Sequence, residues 1–161
     1  NLYFDDSSDS TISSIRAKCR KLSSDAGLDF IVIDYLQLIE SDAASSRASQ
    51  QERISKISRS LKLMARELNV PVLALSQLSR AVEQRGEDKR PIMSDLRDSG
   101  SIEQDADIVM FLYREDYYNK SSPRKNEADL IISKNRSGST HSGLPFMFTG
   151  EYSRFTEKKE E

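Results

Sequence analysis

The sequence predicts an α/β fold with a mostly parallel sheet flanked by helices. Three observations carry this. Phe30-Ile31-Val32-Ile33 and Val72-Leu73-Ala74-Leu75 are short continuous apolar runs, the signature of strands buried on both faces. A long stretch of helical periodicity separates them, the order expected of a parallel pair with a crossover helix. Both runs lead into polar residues, Asp34 and Gln77, and open α/β sheets bind ligands at the carboxyl ends of their strands.

In chain order, 2–5 reads as a short strand ending in acid. A helix follows over 11–24, capped by Ser10 or Thr11, with Ile12, Ile15, Cys19 and Leu22 on one face. Its basic face, Arg16, Lys18, Arg20 and Lys21, is the pattern of a solvated helix surface. Gly27 permits the turn into a strand over 28–34. Residues 41–49 are small and polar without periodicity, a loop. From Gln50 to Leu68 an apolar stripe of Ile54, Ile57, Leu61, Met64, Ala65 and Leu68 defines the strongest helix. Asn69 and Pro71 break it before the strand over 72–75. Residues 80–91 read as a charged loop, and 94–101 as a capped turn or short helix broken at Gly100. Strands are expected at 108–112, 130–132 and 144–148. A charged, frayed tail is expected at 151–161.

The 161 residues suffice for one domain with its own core. With 24 basic and 26 acidic side chains the net charge is -2, so bulk charge gives no case for nucleic acid or membrane. One cysteine and one histidine exclude an internal disulfide and metal sites built on those residues. Cys19 reads as a small buried hydrophobe. No apolar stretch reaches membrane-spanning length, and a cytoplasmic location is expected.

Asp34 can start a turn, or it can hold the magnesium that bridges nucleotide phosphates. Gln77 can face solvent, or its amide can hydrogen-bond a phosphate oxygen and a water. A phosphate-cradling G-x-x-x-x-G-K-[ST] loop is absent: Gly138 and Gly143 have the glycine spacing, but Leu144-Pro145 follows. Tyr35 stands where many hydrolases carry a glutamate base.

Four stretches together resemble the C-terminal ATPase domain of DnaB-type replicative DNA helicases. They are Ile33-Asp34-Tyr35-Leu36-Gln37-Leu38, the run from Val70 to Arg80, the run from Ser94 to Asp107, and Ile131-Ile132-Ser133-Lys134-Asn135-Arg136-Ser137-Gly138. They occur in the family's order and span most of the chain. The resemblance implies a RecA-like fold, here the downstream part of one ATPase domain over 1–161. It implies a homo-hexameric ring around single-stranded DNA, with ATP and Mg2+ bound between neighbours. In that family Asp34 matches the magnesium-associated acid and Gln77 the terminal-phosphate sensor. Lys134 and Arg136 match the basic pair that reaches the neighbour's ATP. Arg97, Asp98 and Gly100 match the DNA-contacting loop, where six copies lining a pore make bulk charge unnecessary. Primase and a helicase loader are the partners implied. The family's phosphate loop, catalytic glutamate and N-terminal domain are expected upstream of Asn1, so this chain alone is expected to hydrolyse no ATP. Two rival readings stand beside this one. A non-catalytic interaction module would have no use for Asp34 and Gln77. A recombinase-like or circadian-type ATPase has the Asp95 to Asp107 stretch against it.

Overall fold

The computed structural model describes residues 1–40, 49–86 and 88–158, with 97–100 described by backbone alone. Two compact units are present: Asn1–Leu78 with Asp98–Asp105, and Ser79–Arg97 with Ala106–Glu161.

The first unit starts irregularly. The strand expected at 2–5 is not formed, and Leu2, Tyr3 and Phe4 are exposed. Among the described residues no strand pairs with them, and Asp5 instead takes hydrogen bonds from Lys18 Nζ at 2.8 Å and Ser7 N–H at 3.2 Å. Helix α1, Ile12–Ala26, is capped by Thr11, whose Oγ1 accepts from Ser14 N–H at 3.3 Å. Gly27 ends it at φ 80°, a backbone angle that costs glycine little. Strand β1, Ile31–Ile33, leads to a 3-10 turn, Leu36–Leu38. Helix α2 is Gln50–Leu68, the range the periodicity indicated, and opens with a capping box of Ser49 and Glu52. Strand β2, Val72–Ala74, pairs parallel with β1 in the register Ile31↔Val72 and Ile33↔Ala74.

The core of this unit joins Ile31, Leu36, Ile39 and Val70 to Ile57, Leu61 and Met64 of α2, with Ile12, Ile15 and Cys19 of α1 packed against it. Burial pushes the Cys19 thiol above its ordinary pKa, as suits a packing residue. The expectation of a strand buried on both faces is corrected. Ile31 is 8% exposed and Val32 is 56% exposed. Alternate side chains of a strand face opposite ways, and α2 with its neighbours fills only the Ile31 side.

In the second unit, 80–91 contains a short helix, α3 (Ala81–Gln84), where a loop was expected; Val82 is buried and pins it. A 3-10 segment, Met93–Ser99, kinks at Leu96, where φ is -81° and ψ is 20°. Helix α4 then runs Gly100–Asp105 and belongs to the first unit. Gly100 therefore begins a helix instead of breaking one. Tertiary packing decides this: Ile102 joins the core periphery, and Asp105 Oδ2 accepts from Ser58 Oγ of α2 at 2.9 Å.

The rest of the second unit is an antiparallel sheet in the order β3-β4-β5-β6. Its strands are β3 Ile108–Tyr113, β4 Glu127–Asn135, β5 His141–Thr149 and β6 Arg154–Glu157. A short helix, α5 (Glu115–Tyr118), follows β3. The α/β expectation holds, with one parallel pairing and three antiparallel ones among the described strands. The frayed tail over 151–161 is corrected in part. Phe155 of β6 lies opposite Phe148 of β5, with ring centroids 4.8 Å apart, a cross-strand pair that anchors a strand. Residues 159–161 lie outside the described residues, as do 41–48 of the expected loop.

Asp129 of β4 ties this sheet together. It is 4% exposed and receives the Arg124 fork at 2.7 and 2.9 Å, with Arg90 also paired to it. The Arg124 hydrogen bonds hold its carboxyl below the ordinary range. Among the described residues no helix is long and apolar enough to cross a membrane.

Candidate functional site

The first unit brings Asp34 and Gln77 to the same edge. Both follow the carboxyl ends of the parallel neighbours β1 and β2, and both are exposed. The Asp34-Tyr35 peptide is cis. Among the described residues Asp34 forms no ion pair, and no group of three or more His, Cys, Asp or Glu could hold a metal. Asp34 would be the chain's ligand for an Mg2+ ion, which needs only one or two carboxylates from a protein and would supply positive charge against nucleotide phosphates.

Gln37 bonds directly to the segment that carries Gln77. Its amide oxygen accepts from Gln77 N–H at 3.3 Å. Its amide nitrogen donates to Ser76 Oγ at 3.2 Å and to Gln77 C=O at 3.4 Å. In the sequence Gln37 reads only as one residue of the Ile33 to Leu38 run. A polar side chain flanked by Leu36 and Leu38 beside a strand-end acid was the available signal.

Lys134 and Arg136 belong to the second unit. Lys134 lies near the end of β4, opposite Val109 of β3, and is half-buried. Arg136 is the first residue beyond β4's Asn135. Its backbone N–H bonds Asp107 C=O at 2.9 Å, and its Nη1 donates to Asp107 Oδ1 at 2.9 Å. The polar strand ends Asp34, Gln77 and Arg136 were expected on one edge if their strands were parallel neighbours. Only Asp34 and Gln77 meet that condition, because Arg136 follows a strand of the antiparallel sheet. Asp107, the partner of Arg136, was legible only as the last residue of the Ser94 to Asp107 run.

Arg97 and Asp98 lie in the 3-10 segment and Gly100 opens α4. The positions before and after them are tied down. Asp95 is 4% exposed; its Oδ2 accepts from Ile92 N–H at 2.7 Å, its Oδ1 pairs with Arg85, and its C=O accepts from Ser79 N–H at 2.9 Å. At the other end Asp105 takes Ser58 Oγ and stands 3.5 Å from Arg59. The segment is thus held at Asp95 within the second unit and at Asp105 within the first.

A strand-end acid and a strand-end glutamine on parallel neighbours stand where open α/β sheets bind ligands. Comparison with known proteins gives the family. Residues 1–157 match the model of the DnaB-like helicase C terminal domain, and the chain belongs to that family. It is 59% identical over 154 residues to the replicative DNA helicase DnaB of Geobacillus stearothermophilus, covering 96% of this chain and 33% of that protein. It is 56% identical to the replicative DNA helicase DnaC of Bacillus subtilis over the same shares. The chain therefore spans about a third of the length of the curated relatives it matches. Among solved structures, one ATPase domain superposes with a TM-score of 0.84 at 49% identity, covering 92% of this chain and 52% of that one. A DnaB-like replicative helicase studied with primase gives the same TM-score and identity over 36% of its chain. The RadB recombinase, at 16% identity and a TM-score of 0.52, shares the fold.

Proposed function

We propose that residues 1–161 are the downstream part of one RecA-like ATPase domain in a replicative DNA helicase. The parent assembles as a homo-hexamer, moves along single-stranded DNA with ATP and Mg2+, and unwinds duplex at the replication fork. The observation that carries this reading is the placement of Asp34 and Gln77 beyond the carboxyl ends of adjacent parallel strands, in a chain matched to the helicase family over residues 1–157. In this reading Asp34 holds the magnesium and Gln77 senses the terminal phosphate. Lys134 and Arg136 act on the neighbouring subunit's nucleotide. Arginine suits that task because it stays charged and engages two phosphate oxygens with one planar fork. Arg97, Asp98 and Gly100 meet DNA. Primase and a loader are its partners, and the cytoplasm its location.

The test is steady-state ATP turnover by the full-length protein carrying Arg136→Ala. Loss of about a thousandfold or more is expected, the scale of removing such a finger, with the melting temperature preserved. Turnover within a few fold of wild type would contradict the reading. The isolated chain should turn over no ATP, and a rate near that of the full-length protein would overturn that part.

A further inference from the structure

We infer that Gln37 is a positioning residue for Gln77, acting as a surrogate piece of β-strand backbone; this rests on reading Gln77 as the terminal-phosphate sensor. The parallel ladder continues past β1 and β2 by two backbone bonds, Leu75 N–H to Ile33 C=O and Leu36 N–H to Leu75 C=O, both 2.9 Å. There β1's chain turns aside into the 3-10 turn Leu36–Leu38, and β2's chain runs on through Ser76 to Gln77. Among the described residues no strand continues beside the backbone N–H and C=O of Gln77. The Gln37 amide fills that place. It accepts from Gln77 N–H and donates to Gln77 C=O, the two bonds that a continuing parallel partner strand would supply from two successive peptide groups.

The chemistry is specific to this residue type. A primary amide carries donor and acceptor together, so it can copy a peptide unit. Glutamate keeps the acceptor only, and methionine has similar length and neither group. The turn that carries Gln37 is anchored by Leu36 before it and Ile39 two residues after it, each 3% exposed and in the core. The three bonds, at 3.2 to 3.4 Å, are individually modest, so they contribute little to global stability. Their effect is to fix the backbone from which the Gln77 side chain springs. The acid-bearing turn after β1 and the sensor after β2 thereby move as one piece.

The experiment uses the full-length protein with Gln37→Met, Gln37→Glu, Gln77→Ala and the double variant Gln37→Met/Gln77→Ala. ATP turnover, KM for ATP and melting temperature are measured for each. Gln37→Met should lower kcat about ten- to hundredfold, the scale of an ångström's misplacement near reacting groups. Its KM should stay within about threefold, because ground-state binding is not what is lost. Gln37→Glu should fall between it and wild type. The double variant should be no slower than Gln77→Ala alone, since a residue that works through Gln77 has nothing left to position. Normal kcat in Gln37→Met beside a crippled Gln77→Ala overturns the inference while sparing the nucleotide site. Multiplying losses in the double variant also overturn it. Normal turnover in Gln77→Ala removes the sensor reading and this inference with it. Should Gln37→Met not fold, Gln37→Glu takes its place in the same cycle.

Discussion

The Arg136–Asp107 pair sets a limit on how tightly the proposed finger can be held back. The two side chains are 56% and 53% exposed and 2.9 Å apart. An ion pair so open to water contributes about 0.2–1 kcal/mol, and salt weakens it further. A charge-assisted hydrogen bond to a phosphate oxygen in a drier interface contributes about 1.5–3 kcal/mol. On the proposed reading, the tether would therefore lose to a neighbour's nucleotide. Asp107→Asn removes the charge and leaves the backbone bond from Arg136 N–H to Asp107 C=O in place. In the full-length protein, ATP turnover by Asp107→Asn should stay within about fivefold of wild type, the equilibrium ratio that about 1 kcal/mol represents. The difference should shrink as salt is raised. Arg136→Ala assayed beside it should lose turnover by orders of magnitude. Equal, deep losses in both variants would refute this reasoning, because Arg136 would then need Asp107 in its working state.

Arg97→Ala in the full-length protein should weaken single-strand binding and reduce the slope of log affinity against log salt by about one phosphate contact for each subunit engaged; an unchanged slope removes Arg97 from the DNA segment. Asp129→Asn should cost about 3–5 kcal/mol in chemical denaturation, since it leaves the Arg90 and Arg124 charges without their buried partner, and a cost under about 1 kcal/mol would show that the cluster carries no such weight. The pH dependence has a fixed sign. Asp129 is held below its ordinary 3.8 in the folded chain, so its contribution is whole above that value, is lost as pH falls through the lower folded value, and is gone below both. Acid titration of stability should therefore flatten in Asp129→Asn relative to wild type. Met64→Ala should cost about 2–5 kcal/mol, because Met64 is fully buried in the core of the first unit; a melting temperature unchanged within error would place Met64 outside the core.

Local pattern was legible where one face of one element decides the outcome. The Ile54, Ile57, Leu61, Met64 stripe defined α2 because its spacing and burial have the same cause. The location of Asp34 and Gln77 beyond strand ends was legible because strand ends are marked by the switch from apolar to polar. What failed depends on partners far along the chain. Val32 reads like Ile31, and only the layer packed on one side separates them. Phe155 sits in a charged stretch, and its strand exists because Phe148 lies opposite. Gly100 would end a helix by propensity, and Ile102 and Asp105 override it by docking on α2's unit. Gln37 escaped notice because its task is set by the backbone of Gln77, which no local window contains.

The two sheets also differ in how far apart their partners lie along the chain, and this bears on the order of folding. Strand β1 must wait for β2 beyond a helix of 19 residues, and Ile31 finds Val72 only after that helix has docked. Strands β4, β5 and β6 follow one another through short turns, with Asn135 and His141, then Thr149 and Arg154, bounding the connections. Closing a short loop costs less entropy than closing a long one, and local pairings form faster. The antiparallel sheet should therefore gain hydrogen-exchange protection early in refolding and the parallel pair late, although β1 leaves the ribosome first. The edge that carries Asp34 and Gln77 would then be among the last parts of the chain to take shape.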